Sequence, residues 1–162
     1  MYNLLLDSDA LIKLTHSEII FKVCEAFNCS ITNEVKEETV KEGKARFYPD
    51  ALIIENLIKN SLLNLKSSKK RIKIKENFGK GEKSILELYH NTKNNAIVSD
   101  DSTFIKHLEN ENIPFFVPSD LIILLKKQSK INQKEAFYFL EKMKVFIREE
   151  VYNETKKELK EV

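Results

Sequence analysis

The chain has 162 residues, which is the size of one globular domain. Its 42% hydrophobic content is enough to bury a core, which excludes a disulfide-held miniprotein and a disordered chain. The 27 basic and 25 acidic residues leave a formal net charge of +2, so we expect no uniformly basic nucleic-acid-binding surface, although a local basic patch is compatible with this balance. With only 3 glycines and 3 prolines, the composition favours a helix-rich protein over an all-β fold.

Targeting signals and cysteine chemistry are not evident in the sequence. No apolar run is long enough for a membrane span, and Asp7 and Asp9 interrupt the apolar N-terminus, which argues against a signal peptide. Cys24 and Cys29 lack the partners of a zinc site, so we expect them to be small hydrophobic residues in a reducing compartment. These observations predict a cytoplasmic protein.

Short strands and helices alternate along the N-terminal part of the chain. Residues 3–7 are predicted to form a buried strand that ends in a carboxylate, with a helix immediately after it. A helix over 17–27 and a strand over 29–32 follow. The next helix begins at residue 32 or 33 and has acidic first turns, as the helix dipole favours. Another helix is predicted over 48–58.

The remaining chain begins with a basic stretch and ends in helices. The second half of residues 66–75 alternates between basic residues and isoleucines. This pattern predicts a two-sided edge strand whose lysines discourage aggregation. Buried strands are predicted over 96–99 and 114–117, with helices before and between them. From residue 119 onward the pattern is helical.

Short apolar strands that alternate with helices predict a parallel sheet covered on both faces, an α/β/α sandwich. No repeat or linker divides the chain, so we expect a single domain over residues 1–162, with the helices of about 119–162 packed on it as a cap. One late helix has more aromatic residues than one face requires. These residues either belong to the core or bind a second copy or a partner helix, and they are Phe137, Tyr138, Phe139 and Phe146.

Acidic residues follow two of the predicted strands. Asp7 ends the first strand, and Asp100 and Asp101 end a later one. In an open parallel sheet, ligands bind at the carboxyl ends of the strands, and two helix starts bring Glu38 and Glu82 to the same side. Crowded carboxylates need a cation, and a site of oxygen ligands suits Mg²⁺ or Mn²⁺ rather than Zn²⁺. Displacement at phosphorus is the chemistry that such a site serves.

The sequence resembles the PIN (PilT N-terminal) domain family of metal-dependent nucleases, in particular a branch related to toxin ribonucleases. The resemblance rests on four short segments, 4–12, 35–38, 81–82 and 98–101, and on their order and spacing. The tail over 121–152 is similar to the C-terminal helices of that branch.

The resemblance implies roles for individual residues. Asp7, Glu38, Glu82 and Asp101 would be the four catalytic acids, with Asp100 an alternative or auxiliary metal ligand and Ser8 and Ser99 in supporting positions. It implies an endoribonuclease that hydrolyses RNA phosphodiester bonds with a water activated by Mg²⁺ or Mn²⁺. It also implies that the protein is the toxin of a toxin–antitoxin pair, with an antitoxin partner and a homodimer as expected assemblies.

The basic stretch over 66–75 contains no acidic residue and has two interpretations. It is either a solvated edge that resists aggregation or a surface for RNA phosphates, which an acidic catalytic centre needs nearby. In the second case the candidate RNA-binding residues are Lys69, Lys70, Arg71 and Lys73.

Two other functions use the same acidic residues. A haloacid-dehalogenase-type phosphatase would take Asp7 as its nucleophile, but Leu11 stands where that chemistry needs Thr or Val, and Glu38 and Glu82 would have no role. The other alternative is an inactive PIN-like domain that binds RNA or a protein. None of the four expected acids is missing, which favours the enzyme.

Overall fold

The computed structural model describes residues 3–93 and 95–162. In this part of the chain, five parallel strands form one sheet in the order β3-β2-β1-β4-β5. The strands are β1 (Asn3–Leu6), β2 (Asn28–Ile31), β3 (Leu63–Leu65), β4 (Asn95–Val98) and β5 (Phe115–Phe116). Consecutive residues of β1 and of β4 are buried on both sides of the strand, which requires helices on both faces of the sheet. The predicted α/β/α class is confirmed.

Helices fill the connections and the C-terminal part of the chain. Those before β4 are α1 (Ser8–His16), α2 (Ile20–Ala26), α3 (Asn33–Lys36), α4 (Glu42–Ala45), α5 (Pro49–Lys59) and α6 (Lys80–Asn91). The later ones are α7 (Ser102–Asn110), α8 (Pro118–Lys127), α9 (Gln133–Met143) and α10 (Glu149–Glu161). A π-helical turn, Glu37–Lys41, joins α3 to α4, and a 3₁₀ turn, Lys144–Phe146, follows α9.

The register of the two central strands sets the position of the acidic residues. Leu6 lies opposite Val98, and the backbone N–H of Asp7 donates to the carbonyl of Val98 at 3.1 Å. Asp7 and Ser99 therefore leave the sheet side by side at its carboxyl edge. A helix begins shortly after each strand, with Asp7 capping α1 directly after β1 and Asp101 capping α7 three residues after the end of β4.

The predicted edge strand over 66–75 is wrong. The edge of the sheet is the shorter β3, and the last ladder bond runs from the N–H of Lys66 to the carbonyl of Ile31 at 2.9 Å. Beyond it the chain has no regular structure because it must leave the sheet to reach the start of α6. The alternation of residue types still reflects two faces of the segment, since Ile72 and Ile74 pack against the core while Arg71, Lys73 and Lys75 are exposed.

The aromatic residues of α9 and of the turn after it differ in burial. Phe139 is buried in the core, and Phe137 packs against it in part. Tyr138 is 47% exposed, and its hydroxyl donates to Glu18 at 2.5 Å. Phe146 is half-buried and belongs to the cleft described below.

Both cysteines belong to the core. Cys24 and Cys29 are buried, carry free thiols, and lie within the hydrophobic core. None of the helices in the described part of the chain is both long and apolar enough to cross a bilayer.

Candidate active site

A cleft with a volume of about 730 Å³ opens at the carboxyl edge of the sheet. Its walls come from the ends of β1 and β4, the π-helical turn, the start of α6 and the start of α10. Six acidic side chains line it, and they are Asp7, Asp9, Glu38, Glu82, Asp100 and Asp101. The cationic side chains on the same walls are those of Lys13 and Arg148. The structure thus brings all four predicted catalytic acids to one cleft.

Asp7 is the most deeply placed of these acids. Its side chain caps α1 by accepting a hydrogen bond from the N–H of Ala10 at 2.8 Å, and only 3% of the residue is exposed. Burial raises the pKa of Asp7 to about 7, although hydrogen bonds from Ser99 and Ala10 act in the opposite direction. The nearby charges of Asp9 and Glu82 contribute to this rise. A cation bound nearby would favour the ionised form of Asp7.

Glu38 reaches the cleft from the π-helical turn. The Ser8 hydroxyl donates a hydrogen bond to Oε2 of Glu38, and the N–H of Gly81 donates to Oε1 at 3.1 Å. Its neighbour Glu37 faces solvent and pairs with Lys41 at 3.1 Å on the same turn. Single π-helical turns inside α-helices often occur at functional sites, and this one directs only the second of two consecutive glutamates into the cleft.

Glu82 lies in the first turn of α6 and bends back toward the start of the helix. Its Oε2 accepts a hydrogen bond from the N–H of Gly79 at 2.9 Å. Burial raises the pKa of Glu82, the Gly79 hydrogen bond lowers it, and the charges of Asp101 and Glu38 raise it further. Like Asp7, this carboxylate is in an environment that lacks compensating positive charge.

The structure separates the two consecutive aspartates after β4. Asp101 caps α7 by accepting from the N–H of Phe104 at 2.7 Å, and its own N–H donates to the Ser99 hydroxyl at 3.2 Å. Asp100 instead forms an ion pair with Lys13. Since Asp100 already has a cation, Asp101 is the better placed of the two to bind another.

Lys13 also pairs with Asp9 at 3.0 Å. Burial would lower the pKa of Lys13, but its hydrogen bonds to Asp100 and Asp9 raise it, so the ammonium is held in its charged form. Sequence reasoning missed this residue. The spacing of four between Asp9 and Lys13 on one helix was the signal that could have identified it.

The donor set fits a hard divalent cation, although the present side-chain arrangement is not a closed cage. Within residues 3–93 and 95–162, no three acidic, histidine or cysteine side chains are grouped closely enough to hold a metal ion. Asp7, Glu82 and Asp101 each accept a backbone N–H at the start of a helix, and Glu38 is held by Ser8 and Gly81. All four present carboxylate oxygens, and neither cleft cation forms an ion pair with any of them.

The predicted RNA-binding residues lie outside this cleft. Lys69, Lys70, Arg71 and Lys73 are exposed on the irregular segment over 66–79, and the cleft lining contains none of them. Phe78 fixes the end of this segment by packing edge-on against Phe104 and His107, with ring centroids 5.3 and 5.1 Å apart. The two glycines that follow, Gly79 and Gly81, do line the cleft.

Three further cleft residues, Phe146, Arg148 and Val151, come from the C-terminal part of the chain. Phe146 and Arg148 were not identified from the sequence as site residues, because only the docking of α9 and α10 brings them near the acidic strand ends. No spacing or motif in the sequence indicated this arrangement.

The chain matches a known protein family. The family model DUF3368, described as a PIN domain, matches residues 4–161, which is nearly the whole chain. Searches of curated proteins and of solved structures find no significant match.

Proposed function

The chain belongs to the PIN domain family, whose members are generally nucleases, and from this premise we propose that it is a metal-dependent endoribonuclease. The proposed reaction is hydrolysis of RNA phosphodiester bonds. The observation that carries the proposal is the convergence of Asp7, Glu38, Glu82 and Asp101 on one cleft whose cations do not neutralise them.

The acids are proposed to bind Mg²⁺ or Mn²⁺. Asp7, Glu82 and Asp101 would hold the ion, with Asp100 as the auxiliary ligand and Glu38 as the remaining catalytic acid. When bound, the ion supplies positive charge to the cluster and activates a water for attack at phosphorus. The raised pKa values of Asp7 and Glu82 support this assignment, because a cation would favour the charged form of both groups.

The chain's own residues hold these acids in position. The Ser8 hydroxyl and the Gly81 N–H fix both oxygens of Glu38. The Ser99 hydroxyl bonds to Asp7 and accepts the N–H of Asp101, so one small side chain connects the two strand ends. Ligands that are restrained by such partners lose less freedom when they bind a metal ion or a substrate.

Two observations favour a nuclease over the phosphatase alternative. A phosphatase of that type would use Asp9 as its acid, but Asp9 is exposed and paired with Lys13. Glu38 and Glu82, which that chemistry would leave without a role, line the cleft and accept hydrogen bonds in it.

The test is Mn²⁺-dependent cleavage of single-stranded RNA, with hydrolysis of a small phosphate ester in parallel. We expect the wild type to cleave RNA, and Asp7→Asn and Glu38→Gln to reduce the rate by two or more orders of magnitude. Glu37→Gln is the matched control, because it makes the same change one residue away on the solvent face and should retain the rate.

A second measurement separates the outcomes. Mn²⁺ should raise the melting temperature of the wild type and of Glu37→Gln, and raise that of Asp7→Asn much less. Ester hydrolysis without RNA cleavage would replace the nuclease with a phosphatase. RNA binding with neither turnover nor Mn²⁺ stabilisation would indicate an inactive binding domain and overturn the proposal.

We further propose that this ribonuclease is a cytoplasmic toxin controlled by an antitoxin protein, and that it assembles as a homodimer, as the resemblance to the toxin branch implies. Induced expression in a bacterial host should arrest growth for the wild type and not for Asp7→Asn. Equal growth of the two strains, with equal amounts of protein, would exclude the toxin role. Sedimentation of the purified chain would decide the oligomeric state.

A further inference from the structure

The segment before α10 places an aromatic ring and a guanidinium on the same wall of the cleft. Phe146 ends the 3₁₀ turn, Arg148 directly precedes α10, and Ile147 between them is extended, with φ −122° and ψ 158°. In extended backbone, side chains two residues apart point to the same side. Phe146 and Arg148 accordingly both line the cleft, while Ile147 packs against the core.

Arg148 is the cleft cation that has no acidic partner among the described residues. Lys13 forms ion pairs with Asp9 and Asp100. Arg148 is exposed and forms no ion pair with any residue in the described part of the chain. A guanidinium presents a planar fork of donors, and a phosphate group matches that fork with two parallel hydrogen bonds. A negatively charged group that enters the cleft would therefore meet Arg148 as the available cation.

Phe146 provides an apolar surface beside that cation. The ring is half-buried, with the His16 imidazole 4.9 Å away between ring centroids and tilted by 31°. Val151, one helical turn beyond Arg148, extends the apolar wall. Aromatic rings at such positions stack on unpaired bases with little regard to base identity.

We propose that Phe146 and Arg148 form a nucleotide subsite for single-stranded RNA, in which the guanidinium binds a backbone phosphate and the ring stacks on the adjacent base. This inference rests on the proposed ribonuclease function and adds to it the residues that would hold one nucleotide of the RNA strand. Single-stranded RNA is specified because a base must be unpaired and exposed to stack on a protein ring. The subsite is built by the C-terminal helices and uses none of the acidic residues.

The experiment measures binding of a fluorescein-labelled single-stranded RNA to the full chain in EDTA, by anisotropy at several salt concentrations. For Arg148→Ala we expect about tenfold weaker binding and a salt slope reduced by about 0.7, the value for one phosphate of a single strand that is no longer neutralised. Arg148→Lys should keep the slope. Phe146→Leu should weaken binding by about five- to tenfold without changing the slope.

Arg46→Ala and Phe47→Leu are the matched controls. Both residues are exposed, both lie outside the cleft, and the changes are chemically the same. We expect both controls to bind RNA like the wild type. Melting temperature and Mn²⁺ stabilisation, measured for every variant, exclude an effect of misfolding. Binding of duplex RNA of the same sequence should be unchanged by Phe146→Leu.

The failures of the two proposals are distinguishable. If the wild type cleaves RNA with Mn²⁺ while Arg148→Ala and Phe146→Leu bind as tightly as the controls, the nuclease assignment stands and the subsite is wrong. If Arg46→Ala weakens binding as much as Arg148→Ala, binding follows net charge and the subsite is again wrong. If the wild type neither binds nor cleaves RNA, the proposed function fails and the subsite fails with it.

Discussion

Gly81 and Glu38 approach each other so closely that a side chain at position 81 would displace the Glu38 carboxylate. A Cβ at Gly81 would lie 2.6 Å from Oε2 of Glu38, and the N–H of Gly81 donates to Oε1 of the same carboxylate at 3.1 Å. Gly81 lies in the first turn of α6, where alanine would otherwise favour the helix by up to about 1 kcal/mol. The close approach of the Glu38 carboxylate therefore explains why this position is a glycine.

Gly81→Ala is predicted to impair the site without unfolding the helix. The clash falls on the flexible end of Glu38, which can move away, so we expect stability to change by less than about 1 kcal/mol while the catalytic rate falls at least tenfold. Cleavage assays and urea denaturation measure the two effects. In a double-mutant cycle, adding Gly81→Ala to Glu38→Gln should reduce activity little further. Full additivity of the two effects would show that Gly81 acts independently of Glu38.

Asp100 and Asp101 are predicted to contribute unequally to metal binding. Because Lys13 neutralises Asp100, Asp101→Asn should remove most of the Mn²⁺-induced rise in melting temperature, while Asp100→Asn should retain most of it. Asparagine keeps a side-chain oxygen that can accept from the N–H of Phe104, so the cap of α7 survives in Asp101→Asn. A thermal-shift titration of both variants measures the difference. A larger reduction in Asp100→Asn would reverse the assignment.

Asp7 is predicted to make the metal-free protein less stable as the pH rises. The pKa of this buried carboxyl is about 7 in the folded protein, against an ordinary value of 3.8, so the folded state binds more protons between these values. The free energy of unfolding should therefore fall as the pH increases through this window, with a limiting slope of about 1.4 kcal/mol per pH unit for one proton. Protonation restores stability on the acid side.

Urea denaturation of the wild type and Asp7→Asn in EDTA, at pH 5 to 8, measures this effect. Asparagine cannot ionise, so the stability of Asp7→Asn relative to the wild type should increase with pH. Mn²⁺ should abolish the difference in slope by stabilising the charged carboxylate. Parallel pH curves for the two proteins in EDTA would contradict the assignment of this pKa to Asp7.

Much of the fold and the acidic part of the site could be predicted from the sequence, for identifiable reasons. Asp7 and Asp101 could be placed together because parallel strands share a carboxyl edge, which is a property of topology rather than of packing. The predicted edge strand over 66–75 was wrong because an alternation of apolar and basic residues indicates that a segment has two faces, but not that its backbone is hydrogen-bonded to a neighbouring strand. Phe146 and Arg148 were missed because their position depends on how α10 docks, which is set by packing between distant parts of the chain.

The basic residues of the 66–79 segment are predicted to attract RNA although they do not line the cleft. Replacing Lys69, Lys70, Arg71 and Lys73 together by alanine should weaken RNA binding and reduce its salt slope by about 0.7 for each phosphate that they neutralise. Mn²⁺ stabilisation should not change, because the cleft lining contains none of the four. The charge-matched control replaces four exposed lysines of the C-terminal part of the chain, namely Lys130, Lys134, Lys157 and Lys160. Equal weakening in the two variants would assign the effect to net charge alone.

Ser30 is predicted to lower the stability of the fold. The residue is fully buried in β2, and its hydroxyl is the buried side-chain polar atom in the described part of the chain that has no hydrogen-bond partner. Ser30→Ala removes this desolvated group, so we expect a gain of about 1 kcal/mol and a melting temperature higher by roughly 2–4 °C. Ser84→Ala is the matched control, since the Ser84 hydroxyl bonds to Thr32 and to the Gly81 carbonyl, both at 2.6 Å. The control should be less stable than the wild type, and a decrease in stability for Ser30→Ala would show that its hydroxyl has a partner.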